Sequence, residues 1–376
     1  MVPADRLPGS VISPIHVLHV VDGLGLGGAE RMLVEIANQT VSDGHRASVC
    51  VTRNAVDLAS SLDSEIDLLV LGRRRRLEIR PLLRLAKWIR AQEIDVIHCH
   101  GRSSFSLLAA LVASHQVRPP IVLHDHLGVQ AHPRVPAWFR IAKRFLAAYV
   151  AVDDDQLAWA RSAGIPVERM RVITNALDLK ALERQLITGS PLEQTSDVAS
   201  LVCIGGLRHE KAIDVLIAAI AMLNSKVMLH VIGGDADAAY AAHCRALVRQ
   251  AGLGDRIRFE GPRRDPLALA RTAALAVHGA RSESGPLVLA EYAGLGIPFV
   301  STRVGGIANS LAAAGVGRFV ASESPRALAN AIEEFLALPA SERRKLGQMA
   351  IAPAYRMFNL SSVIGRWYQL YAEVRR

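Results

Sequence analysis

Short apolar, β-branched runs alternate with longer stretches of helical periodicity, and this alternation occurs twice along the chain. In the first series, "IHVLHVV" (15–21), "ASVCVT" (47–52), "DLLVLG" (67–72), "DVIHCH" (95–100), "PIVLHDH" (120–126) and "YVAV" (149–152) read as strands. Apolar on both faces, they suit a parallel sheet covered by helices on each side. Segments such as "AERMLVEIANQTVSDG" and "PLLRLAKWIRAQE" supply those helices. The rhythm pauses over 179–199, a polar stretch without strand character that predicts a linker. It resumes with "SLVCIGG" (200–206), "VMLHVIGG" (227–234), "RIRFEG" (256–261), "LAVHG" (275–279) and "PFVST" (298–302). The pattern predicts an α/β chain of two doubly wound parallel-sheet domains, 1–178 and 200–355, with strand ends facing a shared cleft. An amphipathic segment over 356–376 reads as a closing helix that packs back towards the first domain.

The chain of 376 residues is 51% hydrophobic, enough for two cores. Its longest apolar runs, such as "VLIAAIAML" (215–223), are too short to span a bilayer. The stretch "MVPADRLPGSVISP" lacks the pattern of a secretory signal. Cys50, Cys99, Cys203 and Cys244 are widely spaced, which predicts reduced, buried thiols in a cytoplasmic setting. The net charge of +9 is concentrated: between Arg73 and Leu146 there are fourteen Lys and Arg against four Asp and Glu. A local excess of that kind suggests an acidic partner.

Gly23, Gly25 and Gly28 follow the first strand at the spacing of a dinucleotide-binding turn. Such a turn needs an acid at the end of the second strand for the ribose, and here that strand ends "CVTRN", with Arg53. Arg53 would suit only a 2′-phosphate, which leaves the phosphorylated nicotinamide cofactor open. The second half offers another phosphate site. In "CIGGLRHEKAIDVLIAAI" (203–220), Arg208 and Lys211 lie between a strand and a helix N-terminus, a pairing of charge and oriented N–H groups that suits a diphosphate. In "SESGPLVLAEYAGLGIPFVSTRVGGI" (282–307), Gly285 and Pro286 open a helix between Glu283 and Glu291. Glu291, roughly one and a half to two turns in, could accept from ribose hydroxyls, and Glu283 from a sugar.

With these motifs in order, the chain resembles glycosyltransferase family 4, retaining nucleotide-sugar-dependent enzymes of the GT-B architecture, over residues 15–372. The likeness rests on "GLGGAER", "DVIHCH", "IVLHDH", "VITNALD", "GGLRHEK", "SESGPLVLAEYAGLGIP" and "VGGI". The resemblance implies an acceptor-side first domain and a nucleotide-sugar-binding second domain. It places Lys211 on the donor diphosphate, Glu283 near the transferred sugar and Glu291 on the ribose, with Gly285 and Leu287 also at the donor. It sets Gly27 and Gly28 against donor phosphate and sugar, and His126 close to the reacting centre, while His100 and His124 line the acceptor side. Three positions depart from the family pattern: Gly206 stands where arginine is common, with Arg208 two residues on. Ala212 and Ser284 replace glycines.

His98, His100, His124 and His126 alternate along two neighbouring strands, and one member of each pair is expected to face a given side. No acidic ligand accompanies them, and no D-x-D motif is evident, so no metal and no cofactor is expected. Taken as one helix, "RVPAWFRIAKRFLAAYV" (134–150) puts Trp138, Phe139, Ile141, Phe145, Leu146 and Tyr149 on one half and Arg140, Lys143 and Arg144 on the other. Together with "RRRR" (Arg73–Arg76), the segment Arg134–Val150 suggests peripheral contact with an anionic membrane. The expected partners are a nucleotide diphosphate sugar (UDP- or GDP-linked) and a saccharide or lipid-linked acceptor. A sugar-nucleotide epimerase of the same fold, an NADP-dependent oxidoreductase and a basic nucleic-acid binder stay open, although the charge lacks interleaved aromatics and no nucleic acid is expected.

Overall fold

The computed structural model describes residues 13–75, 78–127, 134–185, 198–263 and 265–375. Within them the chain divides into two compact units. One takes the described residues up to His126, those from 134 to Ile173, and Val363 onward; the other takes Thr174–Ser362. Residues 186–197 of the expected linker, and Arg76, lie outside the described residues, and Ala199 already begins a strand. Residues Leu179–Gln185, within that linker, form a helix.

The first unit is built on a seven-stranded parallel sheet: β1 (His16–Val21), β2 (Arg46–Val51), β3 (Asp67–Val70), β4 (Val96–His100), β5 (Ile121–His124), β6 (Leu146–Ala151) and β7 (Met170–Val172). Their order is β3-β2-β1-β4-β5-β6-β7, so the winding reverses between β1 and β4. Strands β1 and β4 are buried at every residue, and every position in them that is not histidine is apolar, as a parallel sheet covered on both faces requires. The helix Gly28–Ser42 buries Met32, Leu33, Val34, Ile36, Ala37 and Thr40, a stripe at helical spacing that covers one face of the sheet. From Val363 the closing helix Leu360–Arg375 belongs to this unit. Its Trp367 and Tyr371, four residues apart on one helix face, are wholly buried there.

The second unit repeats the plan with six parallel strands: β8 (Ala199–Ile204), β9 (Val227–Ile232), β10 (Ile257–Gly261), β11 (Leu275–His278), β12 (Phe299–Thr302) and β13 (Arg318–Val320). The order β10-β9-β8-β11-β12-β13 again reverses beside the first strand. Leu201, Leu229, Val231, Leu275 and Val277 join residues of the helix Ile213–Ala221 in the core on one side of the sheet. On the other side the helix Leu287–Gly294 is buried at all eight of its residues.

Two expectations about the basic region are corrected. Residues 134–150 do not form one amphipathic helix. The helix Ala137–Ala142 gives way to a 3-10 turn at Lys143–Phe145 and then to β6. Phe139, Leu146 and Tyr149 are core residues. The end of the segment, Leu146–Ala151, finds a strand partner on β5, and pairing in the sheet outweighs both helical periodicity and the helix preference of its three alanines. Arg73, the first of the four arginines, is 3% exposed and points inward, its guanidinium 3.0 Å from Asp22. Among the described residues no helix is long and apolar enough to cross a membrane.

Candidate functional site

In the second unit the polar residues collect where β8 and β11 end side by side. Beyond β8, Gly205 and Gly206 lead to Arg208, a 3-10 turn at His209–Lys211, and the helix Ile213–Ala221. The turn is locked by Ala212 in the left-handed region (φ 50°, ψ 43°). This conformation favours glycine, which accounts for the glycine the family pattern carries there. A Cβ on Gly205 would press on the Lys211 stem at 3.3 Å, and one on Gly233 would overlap the Gly205 carbonyl. Glycine at both positions lets the two loops close over Lys211.

Lys211 Nζ donates to Glu283 Oε1, and both side chains are largely shielded, at 13% and 14% exposed. Burial alone would raise the Glu283 carboxyl, but the Lys211 ammonium, with smaller effects from His278 and Arg208, holds it below its ordinary range. His278, the last residue of β11, lies 3.8 Å from the same carboxylate oxygen. Burial, then the Lys211 charge, pushes the His278 imidazole down to about 4, so it is neutral near pH 7. The segment carrying Glu283 is pinned on several sides. Asn175 donates to the Gly285 carbonyl at 3.0 Å, and Gly306 N–H donates to the Ser284 carbonyl at 2.7 Å. Arg281 reaches Asp214 at 2.6 Å and the His209 carbonyl at 2.7 Å, tying this loop to the Lys211 turn. Pro286 caps the helix Leu287–Gly294, in which Glu291 is the fifth residue, about one turn in, and 2% exposed.

In the first unit Gly27 caps the helix Gly28–Ser42 in extended backbone, and both glycines are exposed. A Cβ on Gly27 would overlap the Glu30 carboxylate, which folds back against this helix start. Arg53, the residue that could have met a 2′-phosphate, lies 3.8 Å from Asp22, where Arg73 also binds. At the ends of β4 and β5 the structure overturns one expectation. Residues two apart on a strand face the same way, so both members of each histidine pair fall together. His98 sits beside His19 and His100 beside His124 in the sheet register. With His126 they form one cluster, in which His100 bridges His19 (3.1 Å) and His126 (3.2 Å). His19, His98 and His124 are wholly buried and His100 is 4% exposed; His126 is the partly exposed member.

The family comparison decides what these two units are. A model described as Glycosyltransferase Family 4 matches residues 26–181, and one described as Glycosyl transferases group 1 matches residues 191–352. The chain belongs to glycosyltransferase family 4. Among curated proteins it is 36% identical to "D-inositol 3-phosphate glycosyltransferase 2" of Catenulispora acidiphila over 155 residues, 38% of this chain and 36% of that protein. The chain thus spans about a third of the length of the curated relatives it matches. Among solved structures, the Anabaena protein HepE in complex with UDP and glucose superposes with a TM-score of 0.80 at 21% identity, covering 96% of this chain and all of that one. Sucrose-phosphate synthase from Thermosynechococcus elongatus gives 0.77 at 19% identity, covering 96% and 99%. Both have the GT-B fold.

Of the residues the family 4 motifs single out, Lys211 and Glu283 are joined directly, with Arg208 close enough to act on the Glu283 carboxyl. Gly285, Leu287 and Glu291 follow on the same loop and helix. His100, His124 and His126 cluster in the other unit, to which Gly27 and Gly28 also belong. Sequence reasoning missed His278, Asn175 and Arg281. His278 carried a usable signal, since it ends a strand in "LAVHG" just as His124 ends one in "IVLH". Asn175 lies within the quoted "VITNALD", but its partner is 110 residues away.

Proposed function

We propose that the chain is a retaining, metal-independent glycosyltransferase that moves a hexose from a UDP- or GDP-sugar to an acceptor hydroxyl. The observation that carries the reading is the Lys211–Glu283 pair, shielded among glycine turns at the ends of two neighbouring strands. Without a ligand, Glu283 neutralises Lys211. An incoming diphosphate would compete for the ammonium and free the Glu283 carboxylate to accept from sugar hydroxyls. As the glycosidic bond breaks, charge grows on the diphosphate, and Lys211 with Arg208 would meet it there. Glu291 would hold the ribose, with Gly285 and Leu287 alongside. Gly27, Gly28 and His126 keep the donor-side contacts that the resemblance gives them, and His100 and His124 the acceptor side. Attack would come on the face the diphosphate leaves, the leaving phosphate taking the acceptor proton.

HepE was crystallised with UDP and glucose and with UDP-glucose, which supports the donor class. The name of the curated relative supports a hydroxyl acceptor on a small polar ring; a lipid-linked saccharide acceptor for a cell-surface polysaccharide is the alternative. Exposed Arg74, Arg140 and Ile141 keep a membrane-facing role open for the first unit, at the inner surface of the plasma membrane. Loss of binding to anionic vesicles at low salt would remove it.

Thermal unfolding with UDP, GDP, ADP and the phosphorylated nicotinamide cofactor, each with and without magnesium, tests the reading. A ligand at about 100 times its dissociation constant adds roughly 2.7 kcal/mol. UDP or GDP is expected to stabilise without magnesium, and Glu291→Gln to abolish the shift. Stabilisation by the nicotinamide cofactor alone would refute it, and release of a free epimerised sugar nucleotide would favour an epimerase.

A further inference from the structure

The histidine cluster of the first unit has a donor arrangement that nucleotide-sugar chemistry does not require. Ring nitrogens of His100, His124 and His126 all lie within 4.8 Å of one another. The His100 Nδ1 to His126 Nε2 distance of 3.2 Å matches the edge of a tetrahedral site, roughly 3.3 Å for metal–nitrogen bonds of about 2.0–2.1 Å. Both ring nitrogens of His124 are buried without a hydrogen-bond partner among the described residues, a costly state for a polar side chain at zero exposure. The remaining nitrogen of His100, Nε2, faces His19 Nδ1 at 3.1 Å. Donation across that contact would fix His100 in the tautomer whose Nδ1 carries the lone pair now turned to His126, as outer partners of metal-bound histidines commonly do.

A second triad, His19, His98 and His100, is also close enough, but the first is the better site. His98 Nδ1 is already engaged by Tyr371 Oη at 2.7 Å, and all three members are buried, leaving no way in. His126 is partly exposed and opens the first triad to solvent. Asp125, next to these residues in sequence, is held by Arg102 at 2.8 Å and Tyr149 at 2.7 Å. Among the described residues the donor set is therefore three imidazoles, with a fourth position for water or another ligand. Such a set suits zinc, copper or nickel and not magnesium or calcium, which prefer oxygen.

From this geometry we infer that His100 Nδ1, His126 Nε2 and a ring nitrogen of His124 bind one late transition-metal dication, with His19 as the positioning residue behind His100. The inference uses His100, His124 and His126, to which the proposed function gives donor- and acceptor-side contacts, but it is tested without any nucleotide, so its failure is distinguishable from failure of that reading.

The test uses the full chain, stripped with a chelator, exposed to equimolar zinc and passed through a desalting column before the metal is counted. One zinc per chain is expected to stay with the protein. Cobalt(II) in its place should give the intense visible bands of a tetrahedral site. His126→Asn and His124→Gln should release the metal, each checked for folding by its urea midpoint. His19→Gln should weaken binding by 10–100-fold, the usual cost of losing an outer partner, and His98→Gln should leave the stoichiometry at one. Zinc that fails to stay with the folded wild-type chain would overturn the site. Retention by folded His126→Asn would do the same, as would a weak octahedral cobalt spectrum or loss of zinc from folded His98→Gln.

Discussion

Acidification from about pH 7 to pH 5 should destabilise the first unit through its histidines, opposed in part by Asp153, whose carboxyl burial pushes up to about 6. His19 and His126 are pushed down to about 3 and about 4 by burial, and His98, His100 and His124 are held well below the ordinary range by burial and by one another. The folded values lie below the unfolded one of about 6.5, so the unfolded chain binds more protons throughout that window and stability must fall as pH falls. The contribution is complete above about pH 6.5 and is lost progressively below it. Between about pH 7 and pH 5 each histidine that stays neutral when folded costs about 2 kcal/mol. The four buried members, His19, His98, His100 and His124, together cost on the order of 8 kcal/mol, comparable to the roughly 5–15 kcal/mol that holds a typical domain together. All four tryptophans, Trp88, Trp138, Trp159 and Trp367, belong to this unit, so intrinsic fluorescence in urea reports on it alone. With chelator present, the urea midpoint should collapse across that pH range, and His19→Gln should lessen the pH slope by about a quarter. A midpoint that is the same at both ends of the range would refute the reasoning, because the rings could then be neither buried nor neutral.

Lys211→Ala should lower turnover by about 10²–10³ in a transfer assay, the usual loss for one group that meets developing charge; wild-type turnover would reject its role. Gly233→Ala forces a methyl into the Gly205 carbonyl and should cost about 1–3 kcal/mol of stability, whereas Gly234→Ala, with nothing within 4 Å, should cost far less in the same thermal melt. Arg73→Gln breaks an inward-facing pair with Asp22 and should cost about 3–5 kcal/mol in a tryptophan-monitored urea melt, while the exposed Arg74→Gln should leave the midpoint nearly unchanged.

Eleven of the thirteen strands announce themselves in the sequence as apolar runs; β7 and β13 do not. Each has three residues and includes an arginine, as "MRV" and "RFV", so neither apolar content nor periodicity marks it, and only pairing with β6 or β12 makes it a strand. The segment 134–150 misleads in the opposite sense. Its helical periodicity is real over one short helix, but Leu146–Ala151 is claimed by β5 and β7, and a tertiary partner outranks a local pattern. Motif order found Lys211 and Glu283, yet 72 residues separate them, and their direct bond follows from strand adjacency that spacing alone does not reveal. The histidines were legible as residues and misread as geometry. A spacing of two on a strand gathers side chains on one face, and two adjacent strands carrying it make a cluster.

The same rule explains why both units concentrate their polar side chains in one place. In a doubly wound sheet the connections leave in opposite directions on either side of the first strand, and the loops beyond the strand ends there are free of covering helices. In the second unit that position lies between β8 and β11, and the loops after these strands carry Lys211 and Glu283. In the first it lies between β1 and β4, with His19 on one strand and His98 and His100 on the other. The two units differ in what fills the position. The second supplies a cation, an acid and glycines, which suit a ligand that brings charge of its own. The first supplies neutral rings with nitrogens that lack partners, which suit a ligand able to accept lone pairs. If His124 served only to pack the sheet, an apolar residue of similar volume would replace it without loss; His124→Leu, which leaves the His98–Tyr371 hydrogen bond in place, would then match the wild-type urea midpoint near neutral pH and lose about a quarter of the acid sensitivity.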